Sequence, residues 1–85
     1  MVSNRPAEKT LGMLSTINSA GTGNLIRYVR ENHPKENVLR NIQIIKYAAS
    51  TNMMQCARRF GISHQRVYQI IHTYCYYALE AKRWE

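Results

Sequence analysis

Four residues in the second half of the chain have the spacing of a helix-turn-helix motif. A small residue, a glycine and two aliphatic residues follow one another at offsets of 0, +4, +10 and +13, as Ala57, Gly61, Val67 and Ile70. The small residue lets two helices cross closely, and glycine can adopt the positive φ that ends the first helix. The spacing therefore predicts a helix over 53–60, a tight turn flanked by Phe60 and Ile62, and a second helix over 64–80. Such a second helix enters the major groove of DNA.

The outer face of the second predicted helix is polar. Ser63 suits its N-cap position, and the first turns of this helix type touch base edges. Gln can make two hydrogen bonds to adenine, whereas Ser and His can donate or accept. We therefore predict base-reading roles for Ser63, His64, Gln65, Tyr68 and Gln69. The alternative is an ordinary solvated face. The inward side of the helix is assigned to Val67, Ile70, Ile71 and Tyr74.

Basic side chains flank this polar face. Residues 52–72 contain three arginines and no acidic residue. Cations in this position contact phosphate, which positions a protein without reading sequence. Asn52, with Gln55 three residues later, also resembles the cap of the first motif helix. The predicted phosphate-binding set is Lys46, Thr51, Asn52, Arg58, Arg59 and Arg66. For Arg66, a contact within the protein is the alternative.

Length and charge limit the classes of protein to consider. A chain of 85 residues predicts one domain with a thin core. Lys and Arg number 12 against 5 acidic residues, a net charge of +7 that favours an anionic partner. Nucleic acid is the commonest such partner, although a membrane surface or simple solubility also fits the charge. No apolar run is long enough for a membrane span or a signal core, so we expect a bacterial cytoplasmic location with reduced cysteines.

The first third of the chain predicts a dimerisation part, residues 1–33. Apolar residues at helical spacing predict a helix over 6–18, beginning near Pro6. Residues 24–30 are β-branched and aromatic, which favours a strand. Because a lone strand cannot satisfy its own backbone, we expect it to pair with a second copy; extension of the first helix or a coil is the alternative. The predicted dimer residues are Leu11, Leu14, Leu25, Ile26, Tyr28 and Val29.

Residues 34–85 are predicted to form the helix-turn-helix domain. Pro34 is expected to mark the start of a supporting helix over 35–50, so that the fold class is mostly α with one short strand. The apolar stripe of this helix comprises Val38, Leu39, Ile42, Ile45 and Ala49. Tyrosines near the end of the last helix suggest core or dimer packing, with stacking on RNA bases as the alternative.

Other chemistry has little support in the sequence. His72 and Cys75 lie three residues apart, but a zinc site wants four ligands. There is no Asp, no phosphate-binding loop and no pair of carboxylates, so neither an enzyme nor a cofactor is predicted. The rival to DNA binding is a helix-turn-helix module that binds RNA polymerase or another regulator through protein contacts alone.

The chain from Gly21 onward resembles the Mor transcription-activator family, the middle- and late-operon regulators of Mu-like phages. The resemblance begins at GTGNLIRYV (21–29) and continues through LRNIQIIKYAAS and MQCARRFGISHQRVYQII. Phe60-Gly61-Ile62 matches the aromatic-Gly-aliphatic turn of the family, and Val67-Tyr68 matches its recognition helix. The similarity covers residues 11–80.

The resemblance implies a homodimer in which each copy supplies a strand-containing dimerisation part and a DNA-reading head. It also implies binding to an inverted repeat at a promoter and help in recruiting RNA polymerase.

Overall fold

A computed structural model describes residues 8–84 of the chain. These residues form five helices and no strand. The helices are α1 (Glu8–Ala20), α2 (Thr22–Asn32), α3 (Val38–Ser50), α4 (Met53–Phe60) and α5 (His64–Arg83). The predicted mostly-α class is confirmed. The predicted start of the first helix near Pro6 lies outside the described residues, and its predicted end at residue 18 is two residues short.

The predicted strand over 24–30 is wrong, because these residues lie within α2. Leu25 and Val29, one helical turn apart, have no exposed surface. Burying each side chain is worth about 1.5–3 kcal/mol, more than the modest β-preference of the segment. Gly21, at φ +84°, makes the sharp turn from α1 into α2. The segment is thus a separate helix rather than a strand, a coil or an extension of α1.

The predicted two-stranded ribbon across a dimer is therefore also wrong, because a helix satisfies its own backbone groups and needs no partner strand. Of the six residues predicted to form the dimer contact, Leu14, Leu25 and Val29 are buried within a single chain. Ile26 and Tyr28 are half-buried against the same core. Of the six, only Leu11, 45% exposed, is free to present much of its side chain to a partner.

The start of α3 also differs from the prediction. Residues 34–36 form a turn after α2, and the helix begins at Val38 behind the N-cap Asn37, whose side chain accepts the Arg40 N–H bond. Pro34 therefore lies in the turn that follows α2 and does not mark the start of α3. The buried stripe of α3 is shifted as well: Leu39 is 51% exposed, whereas Ile44 and Ala48 are fully buried.

All five helices share one hydrophobic core. The most extensive helix–helix packing joins α1 to α5, so the predicted N-terminal and C-terminal parts are packed together. A polar contact inside this core links α3 to α5. The amide of Asn41 donates to the Tyr74 hydroxyl at 3.0 Å, and that hydroxyl donates to Glu36 at 3.1 Å. This network fixes the second half of α5.

Candidate nucleic-acid interface

The turn between α4 and α5 sets the angle of the candidate recognition helix. Gly61 adopts the left-handed conformation at φ 65° and ψ 36°, as the motif predicts. Its N–H and that of Ile62 both donate to the Ala57 carbonyl, the latter at 3.0 Å. Phe60 and Ile62 are half-buried beside the turn. The helix over 53–60 therefore ends as expected, and the chain reverses directly into α5.

Both motif helices begin at side-chain caps. The hydroxyl oxygen of Ser63 accepts a hydrogen bond from the backbone N–H of Arg66 at 3.0 Å. The amide oxygen of Asn52 accepts one from the backbone N–H of Gln55 at 2.8 Å. These bonds satisfy backbone donors that a helix start leaves unpaired. Ser63 and Asn52, both predicted to touch DNA, thus first serve to hold the two helices in place.

The inward face of α5 is buried, as predicted. Val67 and Ile71 have no exposed surface, Tyr74 retains 1% and Ile70 retains 5%. The close approach of α4 depends on Ala57, which is buried in the same core. These contacts leave α5 no freedom to rotate about its axis, so its outer face is fixed toward solvent.

Cys56 belongs to the packing beneath the site. It is fully buried in α4, and its thiol donates to the Ile44 carbonyl oxygen at 3.2 Å. Burial raises the pKa of this thiol, which keeps it protonated. Cys56 therefore acts as a small core residue that ties α4 to α3.

The outer face of α5 brings together four of the five predicted base-reading side chains, and Ser63 caps the helix immediately before them. His64, Gln65 and Gln69 are exposed, and Tyr68 is half-buried between them. The Tyr68 ring stacks on His72 with centroids 6.4 Å apart. The Nη1 atom of Arg66 donates to the side-chain oxygen of Gln69 at 3.3 Å, so the alternative of a protein contact for Arg66 is realised in part.

The predicted phosphate-binding residues surround this face unevenly. Arg58 and Arg59 are exposed in the last turn of α4. Lys46 and Arg59 line one shallow groove of about 400 Å³ between α3 and α4. The Thr51 hydroxyl instead donates to the Tyr47 carbonyl at 2.7 Å, at the end of α3, which commits its proton within the protein.

Three residues that line the groove, Gln43, Tyr47 and Ser50, were not predicted from the sequence. They line it together with Lys46, Arg59 and Phe60. Residues 43, 46 and 50 recur at helical spacing on α3, and that spacing could have identified them as one polar edge. None of the acidic side chains within residues 8–84 lines the groove, so its charge suits an anion.

Across residues 8–84, no group of three or more His, Cys or acidic side chains is arranged to hold a metal ion. Nor is any helix of this part of the chain both long and apolar enough to cross a membrane. Comparison of the chain with protein-family models, curated proteins and solved structures found no match.

Proposed function

We propose that this chain binds specific sequences of double-stranded DNA and regulates transcription, with the first turns of α5 in the major groove. The observation that supports this proposal is the outer face of α5. Its exposed Gln65 and Gln69 follow a capped helix start and a left-handed Gly61. Gln side chains can pair with adenine through two hydrogen bonds in that groove.

Electrostatics support the same orientation. Arg58 and Arg59 end α4 next to the turn, and Lys46 shares a groove with Arg59. Since residues 52–72 include no acid, nothing in the motif opposes a phosphate backbone. Three or four phosphate contacts per copy would contribute a slope of roughly −3 per copy, or about −5 to −7 for a dimer, to a log–log plot of affinity against salt concentration.

The proposal includes a dimer and an activator role of the Mor kind, in a phage or mobile element. Two copies suit an inverted repeat whose half-sites lie one DNA turn apart. The contact between copies is assigned to exposed apolar side chains rather than to a strand. Tyr76 and Leu79 lie one turn apart on α5 and are 64% and 48% exposed. RNA polymerase is the proposed partner at the promoter.

The decisive experiment selects duplex sequences from a random pool with the full chain and then measures binding by fluorescence anisotropy. The selected duplex and a scrambled duplex are compared at about 50 mM and about 200 mM salt. We expect tight, salt-sensitive binding to both at low salt and a marked preference for the selected duplex at higher salt. Absence of binding at low salt would refute the proposal and leave a module that binds other proteins.

A second arm separates duplex DNA from RNA. The same sequence is offered as duplex DNA, single-stranded DNA and single-stranded RNA. Readout from the major groove requires the duplex, whereas stacking on tyrosines favours unpaired bases. Preference for the single strands would assign the protein to the RNA-binding class instead.

A further inference from the structure

A second concave site lies away from the outer face of α5. It is a cavity of about 360 Å³ between the end of α1, the start of α2 and one side of α3. Its volume falls within the range of small-ligand sites in proteins. The lining residues are Leu14, Ile17, Asn18, Thr22, Ile42, Ile45, Lys46, Ala49 and Ser50.

The floor of this cavity is aliphatic. Leu14 and Ile17 come from α1, and Ile42 and Ile45 come from α3. All four side chains belong to the packed core, with at most 6% of their surface exposed, so the floor is rigid. No aromatic ring of the described chain lines the cavity, which favours a flexible aliphatic group over a flat ring system.

The rim of the cavity carries one positive charge. Lys46 is exposed on α3, and Asn18 and Thr22 add polar side chains on the opposite side. Among residues 8–84, no acidic side chain lines the cavity, so its described walls give the ammonium group no counter-charge. An apolar floor beneath a single cation is complementary to a molecule with an aliphatic tail and one anionic head.

We propose that this cavity binds a medium-chain aliphatic carboxylate, with its tail against Leu14, Ile17 and Ile45 and its carboxylate on the Lys46 ammonium group. Binding of the carboxylate to the cavity does not require DNA. Its effect on DNA binding rests on the function proposed above. Lys46 also lines the groove that contains Arg59. A bound carboxylate would therefore neutralise the Lys46 ammonium group, which is proposed to contact phosphate, and would weaken DNA binding.

Direct titration of the ¹⁵N-labelled full chain with octanoate, followed by amide NMR, tests the site. We expect saturable shifts confined to α1, the start of α2 and α3. Each methylene should change the affinity about fourfold, so hexanoate should bind roughly fifteenfold more weakly. Octanol, which has no charge, should bind more than about tenfold more weakly than octanoate. Equal affinity for octanol and octanoate, or shifts spread over the whole surface, would overturn the proposal.

Variants make the test specific. Ala49 is exposed at the cavity wall, so Ala49→Trp should fill the cavity and abolish octanoate binding without removing a core contact. Ser15→Trp, at an exposed α1 position outside the lining, is the matched control and should bind octanoate normally. Lys46→Gln should weaken binding more than about tenfold. Unchanged octanoate affinity in a folded Ala49→Trp chain, verified by circular dichroism, would rule out this cavity.

The effect on DNA is measured separately. Octanoate should weaken binding of the selected duplex by the wild-type chain but not by Ala49→Trp. If octanoate bound and DNA affinity did not change, the site would stand and its coupling to DNA would be refuted. If no duplex bound at all, the proposed function would fail while the NMR titration still decided the cavity.

Discussion

Arg66 and Gln69 are joined across one turn of α5, with the guanidinium Nη1 atom 3.3 Å from the side-chain oxygen of the glutamine. The pair links a residue expected to bind phosphate with one expected to read a base. Bidentate recognition of adenine uses both the oxygen and the nitrogen of a Gln amide. Because an amide oxygen has two lone pairs, Gln69 can accept from adenine while Arg66 still donates to it. Gln65 lies one turn earlier on the same face.

Replacing either glutamine should reduce sequence discrimination. Gln65→Ala and Gln69→Ala should each cost about 1–3 kcal/mol on the selected duplex at one or two base pairs. Binding to scrambled DNA should hardly change, because these side chains are not charged. Anisotropy with single-base variants of the duplex measures both effects. If neither substitution altered specific or non-specific affinity, the outer face of α5 would not be the reading face.

The contact between Arg66 and Gln69 should appear as an energetic coupling. In a double-mutant cycle, Arg66→Ala and Gln69→Ala should be non-additive for DNA binding, because each changes the freedom of the other. Arg66→Ala with Gln65→Ala serves as the comparison cycle and should be close to additive. Additive effects in both cycles would show that the hydrogen bond has no role in recognition.

The cations at the end of α4 should act on all sequences alike. Arg58→Ala and Arg59→Ala should each weaken selected and scrambled duplexes equally and reduce the magnitude of the salt slope by about 1 per copy, or about 2 for a dimer. Arg30→Ala, an exposed arginine on α2, is the matched control for the loss of one charge. A slope that fell as much in the control would mean that net charge alone, rather than these positions, supplies the attraction.

Two glycines should respond to alanine in opposite ways. Gly61 has φ 65°, and a methyl group added there would meet no atom within 4 Å, so Gly61→Ala introduces backbone strain but no clash. We expect a loss of about 1–2 kcal/mol in the free energy of unfolding. Gly12 lies in the interior of α1 with equal space around it, and Gly12→Ala should gain about 0.5–1 kcal/mol. Urea unfolding compares the two, and a Gly61→Ala chain as stable as the wild type would contradict the left-handed turn.

The buried hydroxyl of Tyr74 should contribute to stability in a pH-dependent manner. Burial raises the pKa of this phenol above its ordinary value of 10.0, so the folded chain keeps the proton that the unfolded chain releases. The stabilisation is complete below that value and declines as the pH rises past it. Tyr74→Phe should lose about 1–2 kcal/mol near neutral pH by removing the bonds to Asn41 and Glu36.

The difference between wild type and Tyr74→Phe should narrow above about pH 10. Urea unfolding at neutral and alkaline pH measures it in both proteins, so the titration of every other group is shared. A difference that stayed constant across this range would contradict the raised pKa.

The exposed apolar pair on α5 should support self-association. Tyr76→Glu and Leu79→Glu should each convert a dimer to monomers, because they place a charge in an apolar contact. Leu39→Glu, at a similarly exposed site on α3, is the control and should leave the dimer intact. Sedimentation equilibrium with and without the selected duplex measures the mass. A monomer under all conditions would refute the dimer, and a dimer unaffected by either change would place its contact elsewhere.

The sequence was most informative where local chemistry and packing agree. Gly61 readily adopts the left-handed φ that ends α4, and Asn52 and Ser63 are common N-cap residues. The limits of α4 and the start of α5 could therefore be predicted to the residue. The buried face of α5 could also be predicted, because Val67, Ile70, Ile71 and Tyr74 recur at helical spacing and face one core.

Local preference misled the prediction for α2. Short apolar runs fit a helix or a strand equally well, and residues 24–30 combine β-branched side chains with an i, i+4 pair, Leu25 and Val29. Only the surrounding helices, which cover that pair, decide between the two. The groove that Lys46 and Arg59 line could not be predicted from the sequence either, because it depends on how α3 and α4 cross.

α5 is a continuous helix of 20 residues, about 30 Å long. Its first turns carry the polar face. Near its end the Asn24 amide of α2 donates to the Ala81 carbonyl at 3.1 Å, and α1 packs against the same helix. Because the helix is continuous, a tilt of ~10° in the packing of the later turns would displace the first turn, together with α4 packed against it, by ~5 Å over this length. Core substitutions in α1, remote from any bound duplex, should therefore change the position of the polar face of α5 and with it the affinity for the selected duplex.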